Sequence, residues 1–134
     1  MTFRRLLSAV LILLCLTSCF SGSVAGRYRD VLGIEWETRK DMTLWKMEPN
    51  QFRFVPYTLS NTDYGNLAHR VKLVPAGSRI RVVDARVKST IDAGFDYLIA
   101  DLYLPGGEAP IRFEQIVEDM SVEYFRTAWQ KVKQ

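Results

Sequence analysis

His69 is the sole histidine among 134 residues, and a lone imidazole is the first side chain to weigh as a general base. No catalytic signature surrounds it. Ser78 follows Gly77, but no G-x-S-x-G elbow is present, so a turn role is expected for it. Carboxylates occur in near pairs: Glu35 with Glu37, Asp92 with Asp96, Glu118 with Asp119. Glycoside hydrolysis needs two such groups at a defined separation across a cleft. Strand alternation would instead put Glu35 and Glu37 side by side in solvent, opposite Trp36. The chain has no phosphate-cradling glycine loop, no zinc motif and no EF-hand spacing. Two cysteines and one histidine offer no metal set. The sequence therefore points away from an enzyme and implies no cofactor. The surviving catalytic alternative is a hydrolase with its site near His69.

The more suggestive chemistry is cationic. Arg70 and Lys72 precede the turn-forming run Pro75-Ala76-Gly77-Ser78, and Arg79 and Arg81 follow it. If residues 69–74 and 79–88 pair as a hairpin, these four cations share one outward face. Like charges on neighbouring strands are mildly unfavourable. They are tolerated when carboxylates or an anionic partner neutralise them. The expected partner is anionic envelope material, such as peptidoglycan carboxylates or lipid head groups, or an acidic envelope protein.

That compartment is read from the N-terminus. Arg4 and Arg5 form a positive n-region, Leu6 to Leu16 an apolar h-region, and small or polar residues follow. A run of eleven residues is too short for a helix that must cross roughly 30 Å of hydrocarbon. Ser23-Val24-Ala25 offers an ordinary signal-peptidase site as one alternative. The segment Leu16-Thr17-Ser18-Cys19, however, resembles the lipobox of bacterial lipoproteins: an aliphatic residue, two small residues, then Cys. The resemblance implies that the processing enzymes read Leu16, Thr17 and Ser18, that the Cys19 thiol receives a diacylglyceryl group, and that Cys19 becomes the first residue of the mature chain, with its amino group usually acylated as well. Two or more acyl chains hold a protein at a membrane without a spanning helix. Phe20 stands where enteric-type sorting would need Asp for inner-membrane retention, which implies the outer membrane, facing the periplasm.

Three segments follow: 1–18 as signal peptide, 19–27 as lipidated Cys and flexible tether, and 28–134 as one β-rich periplasmic domain. Without the leader the chain has 116 residues, enough for a core. Arg4 and Arg5 leave with the leader, so 16 Lys+Arg face 15 Asp+Glu. The precursor's net charge of +3 is thus partly a leader effect and does not argue for nucleic acid. With Cys15 removed and Cys19 acylated, no internal disulfide forms. Seven extended tether residues, 20–26, reach only about 25 Å, so the domain is expected to work close to the membrane.

The domain reads as short strands. Ile34, Trp36 and Thr38 alternate with Glu35, Glu37 and Arg39. A second strand spans Met42 to Met47, and a third, Phe52 to Leu59, carries Pro56 and is expected at an edge or a bend. His69, Val71 and Leu73 alternate with Arg70 and Lys72. From Arg79 to Lys88 the apolar positions change phase, Ile80 and Val82 being even, Val83, Ala85 and Val87 odd; a bulge at Val82-Val83 would let both halves bury their apolar sides. Phe95 to Leu104 is apolar on both faces, as a central strand should be. Ile111 to about Val117 is the last strand. Ser121 as N-cap, with Val122, Phe125, Trp129 and Val132 three or four apart, predicts a helix ending near Lys131. The expected fold is mainly β: a small antiparallel SH3-like barrel of six or seven strands with a C-terminal α-helix, or alternatively an OB-like barrel. The expected role is a non-catalytic binding or assembly module; a structural subunit of an envelope complex is the other non-enzymatic reading.

Overall fold

The structure is a computed structural model that describes residues 20–50, 53–89, 94–117 and 128–133. It is mainly β. Nine strands form one sheet: β1 (Phe20–Ser23), β2 (Glu35–Thr38), β3 (Met42–Met47), β4 (Tyr57–Ser60), β5 (Ala68–Val74), β6 (Arg79–Ser89), β7 (Gly94–Tyr103), β8 (Ile111–Val117) and β9 (Trp129–Lys131). Two short 3-10 turns, Ala25–Tyr28 and Gly65–Leu67, complete the regular elements. The hydrogen-bonded path runs β5-β3-β4-β8-β7-β6-β2-β9, with β1 also on β6. Every pairing is antiparallel except β4 with β8, which meet in parallel at Thr58 and Glu114. The path is open, with β5 and β9 at its ends, so the closed SH3-like outline of six or seven strands gives way to a longer mixed sheet.

The two connections that organise this sheet are short. Residues 39–41 join β2 to β3, and residues 75–78 join β5 to β6. Yet β2 pairs with β6 and β3 with β5. Glu35 lies opposite Arg81; seven residues on, Met42 lies opposite Val74, seven residues back. One register thus runs through the corner as far as Leu44 opposite Lys72, as a single two-stranded ribbon, and shifts by one residue between Leu44 and Trp45. The sheet path between β3 and β6 passes through β4, β8 and β7. It must coil round the core to return to the same ribbon. The expected hairpin of 69–74 with 79–88 does not form, because each segment takes the residue 34–47 stretch as its partner instead.

The corner is tied by hydrogen bonds. Thr38 N donates to Ser78 O (3.0 Å), Gly77 N to Thr38 O (2.8 Å), and Ser78 N to Thr38 Oγ1 (3.2 Å). Both hydroxyls, Thr38 Oγ1 and Ser78 Oγ, donate to Pro75 O, at 3.1 and 2.7 Å. Thr38 and Ser78 are buried, so these bonds satisfy groups that water cannot reach. Gly77, at φ +83°, supplies the left-handed position that the turn needs.

Two sequence expectations hold in part, although Val83 and Phe95, expected on buried faces, are exposed. The register of β6 on β7 shifts between Val82 and Asp84, leaving Val83 as the extra, outward residue, while Ile80, Val82 and Ala85 are fully buried. Residues Tyr97 to Leu102 of β7 are buried on both faces, between β6 and β8. Pro56 stands just before β4, where its missing N–H costs no ladder bond, and its carbonyl accepts Met47 N at 2.7 Å.

Three expectations are corrected. Residues 20–23, expected as tether, form β1 and pair with Arg86 to Ser89, where β6 extends past the end of β2 and would otherwise present a bare edge. Residues 129–131, expected as the end of a helix, form β9 on the free edge of β2. Trp129 is buried and packs edge-on against Phe113 (5.8 Å, 83°), while Gln130 and Lys131 are progressively more exposed toward the end of the strand. The rest of that expected helix, 121–127, lies outside the described residues. Finally, β5 is not half-buried: Val71 and Leu73 are 43% and 65% exposed, because the described residues supply β5 with only one strand neighbour, β3.

On the outer face of β6, β7 and β8, residues 53–56 lie across the sheet and are pinned to a buried carboxylate. Glu114, 1% exposed, accepts Phe54 N at 3.2 Å, and Arg53 Nη1 stands 3.8 Å from its other oxygen. Lys88 Nζ donates to Arg53 O (2.7 Å) and sits 4.4 Å from the Phe54 ring centroid. Tyr97 meets the same ring edge-on at 5.3 Å.

Two stability predictions follow from this packing. Trp129→Ala should empty a core position and release β9, costing about 3–5 kcal/mol, read from the urea midpoint. For Glu114, burial outweighs the opposing hydrogen bonds from Phe54 and Val55 and the attraction of Arg53 and Lys88, and raises its pKa above the ordinary 4.5. The folded state therefore binds this proton more tightly. The contribution is full below the unfolded value and is lost as pH rises through the folded one. Glu114→Gln should flatten the fall in urea midpoint as pH rises above the ordinary 4.5; an unchanged slope would refute this reading.

Candidate functional site

Of the residues singled out from sequence, Leu16, Thr17, Ser18 and Cys19 lie outside the described residues. The four cations do not gather on one hairpin. Arg70 and Lys72 stand on β5, and Arg70 lies over the Trp45 ring at 5.2 Å. Arg79 and Arg81 stand beyond the corner on β6, and Arg79 is neutralised by Glu35 at 3.2 Å. His69 is exposed and faces Glu48 at 3.4 Å. The shallow cavity beside it is lined by Trp45, Asp63, Asn66 and Arg70, among others, and by no serine. Ser78 is spent on the corner. Glu37 accepts Gln130 Nε2, so Glu35 and Glu37 each have a partner rather than facing each other across a cleft.

A larger groove lies elsewhere, where β2 and β9 meet the segment that follows β1. It encloses about 820 Å³. Its apolar side is made by Tyr28, Val31, Ile34, Trp36 and Trp129, and its cations are Arg27, Arg29, Arg39 and Lys131; Asp30 is the one acidic residue among the described residues lining it. The local sequence explains the shape. After β1, Val24 N still donates to Ala85 O (2.9 Å), then the chain leaves β6 in the 3-10 turn and returns where Gly33 N donates to Val82 O (3.0 Å). Gly33 makes that return at φ +73°. The excursion between these two anchor points forms one wall; β9 forms the other.

Both walls are fixed. Tyr28 Oη donates to Asp96 Oδ2 at 2.6 Å, and Arg27 reaches the same oxygen at 3.4 Å. Val31 N and Leu32 N both donate to Tyr28 O at 3.0 Å. Opposite, Arg39 Nε donates to Trp129 O (3.1 Å), and Lys131 Nζ lies 5.8 Å from the Trp36 ring centroid. Among the described residues, Arg29, Arg39 and Lys131 have no carboxylate within ion-pair distance. Uncompensated cations round a concave apolar surface create a positive field that attracts anions. A second, smaller hollow, about 520 Å³, adjoins the first through Ile34 and Lys131 and adds Arg81. Arg81 is thus the member of the expected cationic set that lies next to the groove.

Sequence reasoning missed this site because Arg27 to Asp30 fell at the junction of tether and domain. The available signal was the run Arg27-Tyr28-Arg29-Asp30, with two cations either side of an aromatic residue. The wall built by β9 had no such signal, since those residues read as helix. Compared with known proteins, the chain matches no family model, no curated protein and no solved structure.

The Asp96 anchor makes a testable point. Asp96→Ala removes the acceptor of Tyr28 and the partner of Arg27 together. The amides of Val31 and Leu32 should then exchange with solvent at least severalfold faster, while β7 and β8 amides stay protected, as local opening below the global stability requires. Equal acceleration throughout would mean that Asp96 supports the whole fold and not the groove wall.

Proposed function

We propose that this chain is a lipid-anchored lipoprotein of the bacterial cell envelope, outer membrane and periplasm-facing, that acts as a non-catalytic binding module for anionic envelope material close to the membrane. The observation that carries the binding reading is the groove of about 820 Å³ with four cations and one carboxylate on its walls. That volume lies in the roughly 300–1,000 Å³ range of ligand sites. The anchor rests on Leu16-Thr17-Ser18-Cys19 at the end of an apolar run. The pairing of β1 with β6 supports proximity, since residue 20 is already part of the sheet and little slack separates Cys19 from the fold.

A second reading, a structural subunit of an envelope complex, draws on a different observation. Leu67 and Leu73, at the start and end of the β5 region, are 73% and 65% exposed. A hydrolase near His69 draws no comparable support from its surroundings.

Two measurements test the proposal. Cys19→Ala should abolish incorporation of labelled palmitate and move the chain from the membrane pellet to the soluble fraction; palmitate-free protein that still pellets with membranes would remove the anchor. Arg29→Glu with Lys131→Glu should weaken co-sedimentation with anionic vesicles or purified sacculi about tenfold or more, the order expected for losing a charge-assisted contact. Arg70→Glu with Lys72→Glu should leave it unchanged. The reverse pattern would return the binding face to β5.

A further inference from the structure

Resting on the groove as the binding face, we propose that its ligand is a single-chain anionic amphiphile, a fatty-acid-like molecule with its carboxylate or phosphate among Arg29, Arg39 and Lys131 and its chain along Val31, Ile34 and Tyr28.

The lining excludes most other anions by its chemistry. A small inorganic anion would use the cations but leave the apolar wall wet, and would occupy little of about 820 Å³. A glycan strand needs aromatic faces to stack on and acceptors and donors for its hydroxyls. Trp36 and Trp129 line the groove, but they are 7% and 2% exposed, so their rings are packed into the core and are not open platforms. Among the described residues lining the groove, Asp30 and Gln130 supply the carboxylate and the amide side chain, against four cations. An alkyl chain needs no hydrogen-bonding partner. It gains roughly 0.8 kcal/mol for each buried methylene, and Val31, Ile34 and Tyr28, all half-buried, offer the surface for it.

The charged end has a defined place. Lys131 and Ile34 line both the larger groove and the hollow that holds Arg81 and Glu35. An anion beside Lys131 therefore has Arg39 on the groove side and Arg81 on the other, and Glu35 in the hollow, paired with Arg79, keeps the anion's place on the groove side. Arg79 contributes less to it, because Glu35 already neutralises that side chain. The distribution of free charge thus favours one acidic head and one apolar tail over a ligand with charge along its length.

The test uses the full chain in nanodiscs of zwitterionic lipid, with a diazirine-bearing dodecanoate as the probe and a diazirine-bearing dodecanol as its uncharged counterpart. After irradiation, adducts are located by peptide mass spectrometry. The expected result is labelling within residues 28–36 and 129–132 by the carboxylate probe, about tenfold less by the alcohol, and about tenfold less again with Arg29→Gln and Lys131→Gln together. Arg29→Lys should retain labelling. Equal labelling by acid and alcohol would overturn the proposal, as would adducts spread over the surface or labelling indifferent to the two Gln variants. If those variants lose co-sedimentation with sacculi yet neither probe labels the groove, the groove remains the binding face and the amphiphile is the wrong ligand. If co-sedimentation and groove labelling are both indifferent to charge, the parent reading fails as well.

Discussion

The corner at Thr38 and Ser78 is the constraint on which the remaining architecture depends. A two-stranded ribbon with one continuous register would ordinarily run on as a long hairpin. Here six hydrogen bonds among Thr38, Pro75, Gly77 and Ser78 interrupt the ladder without changing the register. The two halves then diverge to different neighbours, β3 to β4 and β6 to β7. That divergence lets Leu44 and Val74 on one arm and Trp36 and Ile80 on the other join a single core cluster. At the far end of β2 from the corner, past Glu35, β6 runs on and pairs with β1, and the other edge of β2 takes β9. The groove exists because β1 and β2 use the same edge of β6 in succession, and the chain between them has to leave the sheet and come back.

Sequence patterns were informative where a side chain's environment is set by its own strand. The phase change in Ile80, Val82 and Ala85 located a bulge, because only an extra residue can move an alternating pattern from one face to the other without exposing it. The two-sided apolar run 97–102 located the central strand for a similarly local reason. Patterns failed where the decisive contact is distant. Ser21-Gly22-Ser23 carries no strand signal of its own and is ordered by pairing with β6. Trp129 fits a helical stripe and a short strand equally well; the open edge of β2, more than ninety residues earlier in the chain, decides between them. The four cations were placed on one face by assuming that sequence neighbours across a Pro-Gly turn must pair. Pairing here instead follows the ribbon with residues 35–47, so the groove's cations come from positions 27, 29, 39 and 131.

The strap over the outer face raises a related point about polar groups in small β domains. Glu114 sits opposite Phe113 in the alternation of β8, so its side chain leaves the core side and would ordinarily be solvated. It is buried because residues 53–56 cross above it, and one of its oxygens has no hydrogen-bond partner. Burial of a carboxylate in such a site favours its neutral form. The cations Arg53, Lys88 and Arg86 gather round Phe54 and partly oppose that effect. The chain therefore uses its cations in two distinct ways. Those around Phe54 are bound into aromatic and carboxylate contacts that hold a strap. Those at the groove, Arg29, Arg39 and Lys131, lack an internal carboxylate among the described residues.

That difference bears on how a nearly neutral domain can bind anions. If residues 1–18 are removed as proposed, cations exceed carboxylates by only one (16 against 15), so long-range attraction would be weak and screened within about 8 Å at physiological ionic strength. The proposed binding would then come from local concentration of charge at a concave, low-dielectric surface, where each contact is worth more than on an open face. The groove meets that condition and the β5 face does not, since Arg70 there is stacked on Trp45 and the neighbouring surface is open to water. Placement adds to it. The groove wall begins at residue 25, directly after the strand that starts at residue 20. A chain held at Cys19 would carry this surface no farther from the bilayer than β1 and one 3-10 turn allow, within the zone where amphiphiles leaving or entering a membrane are most concentrated.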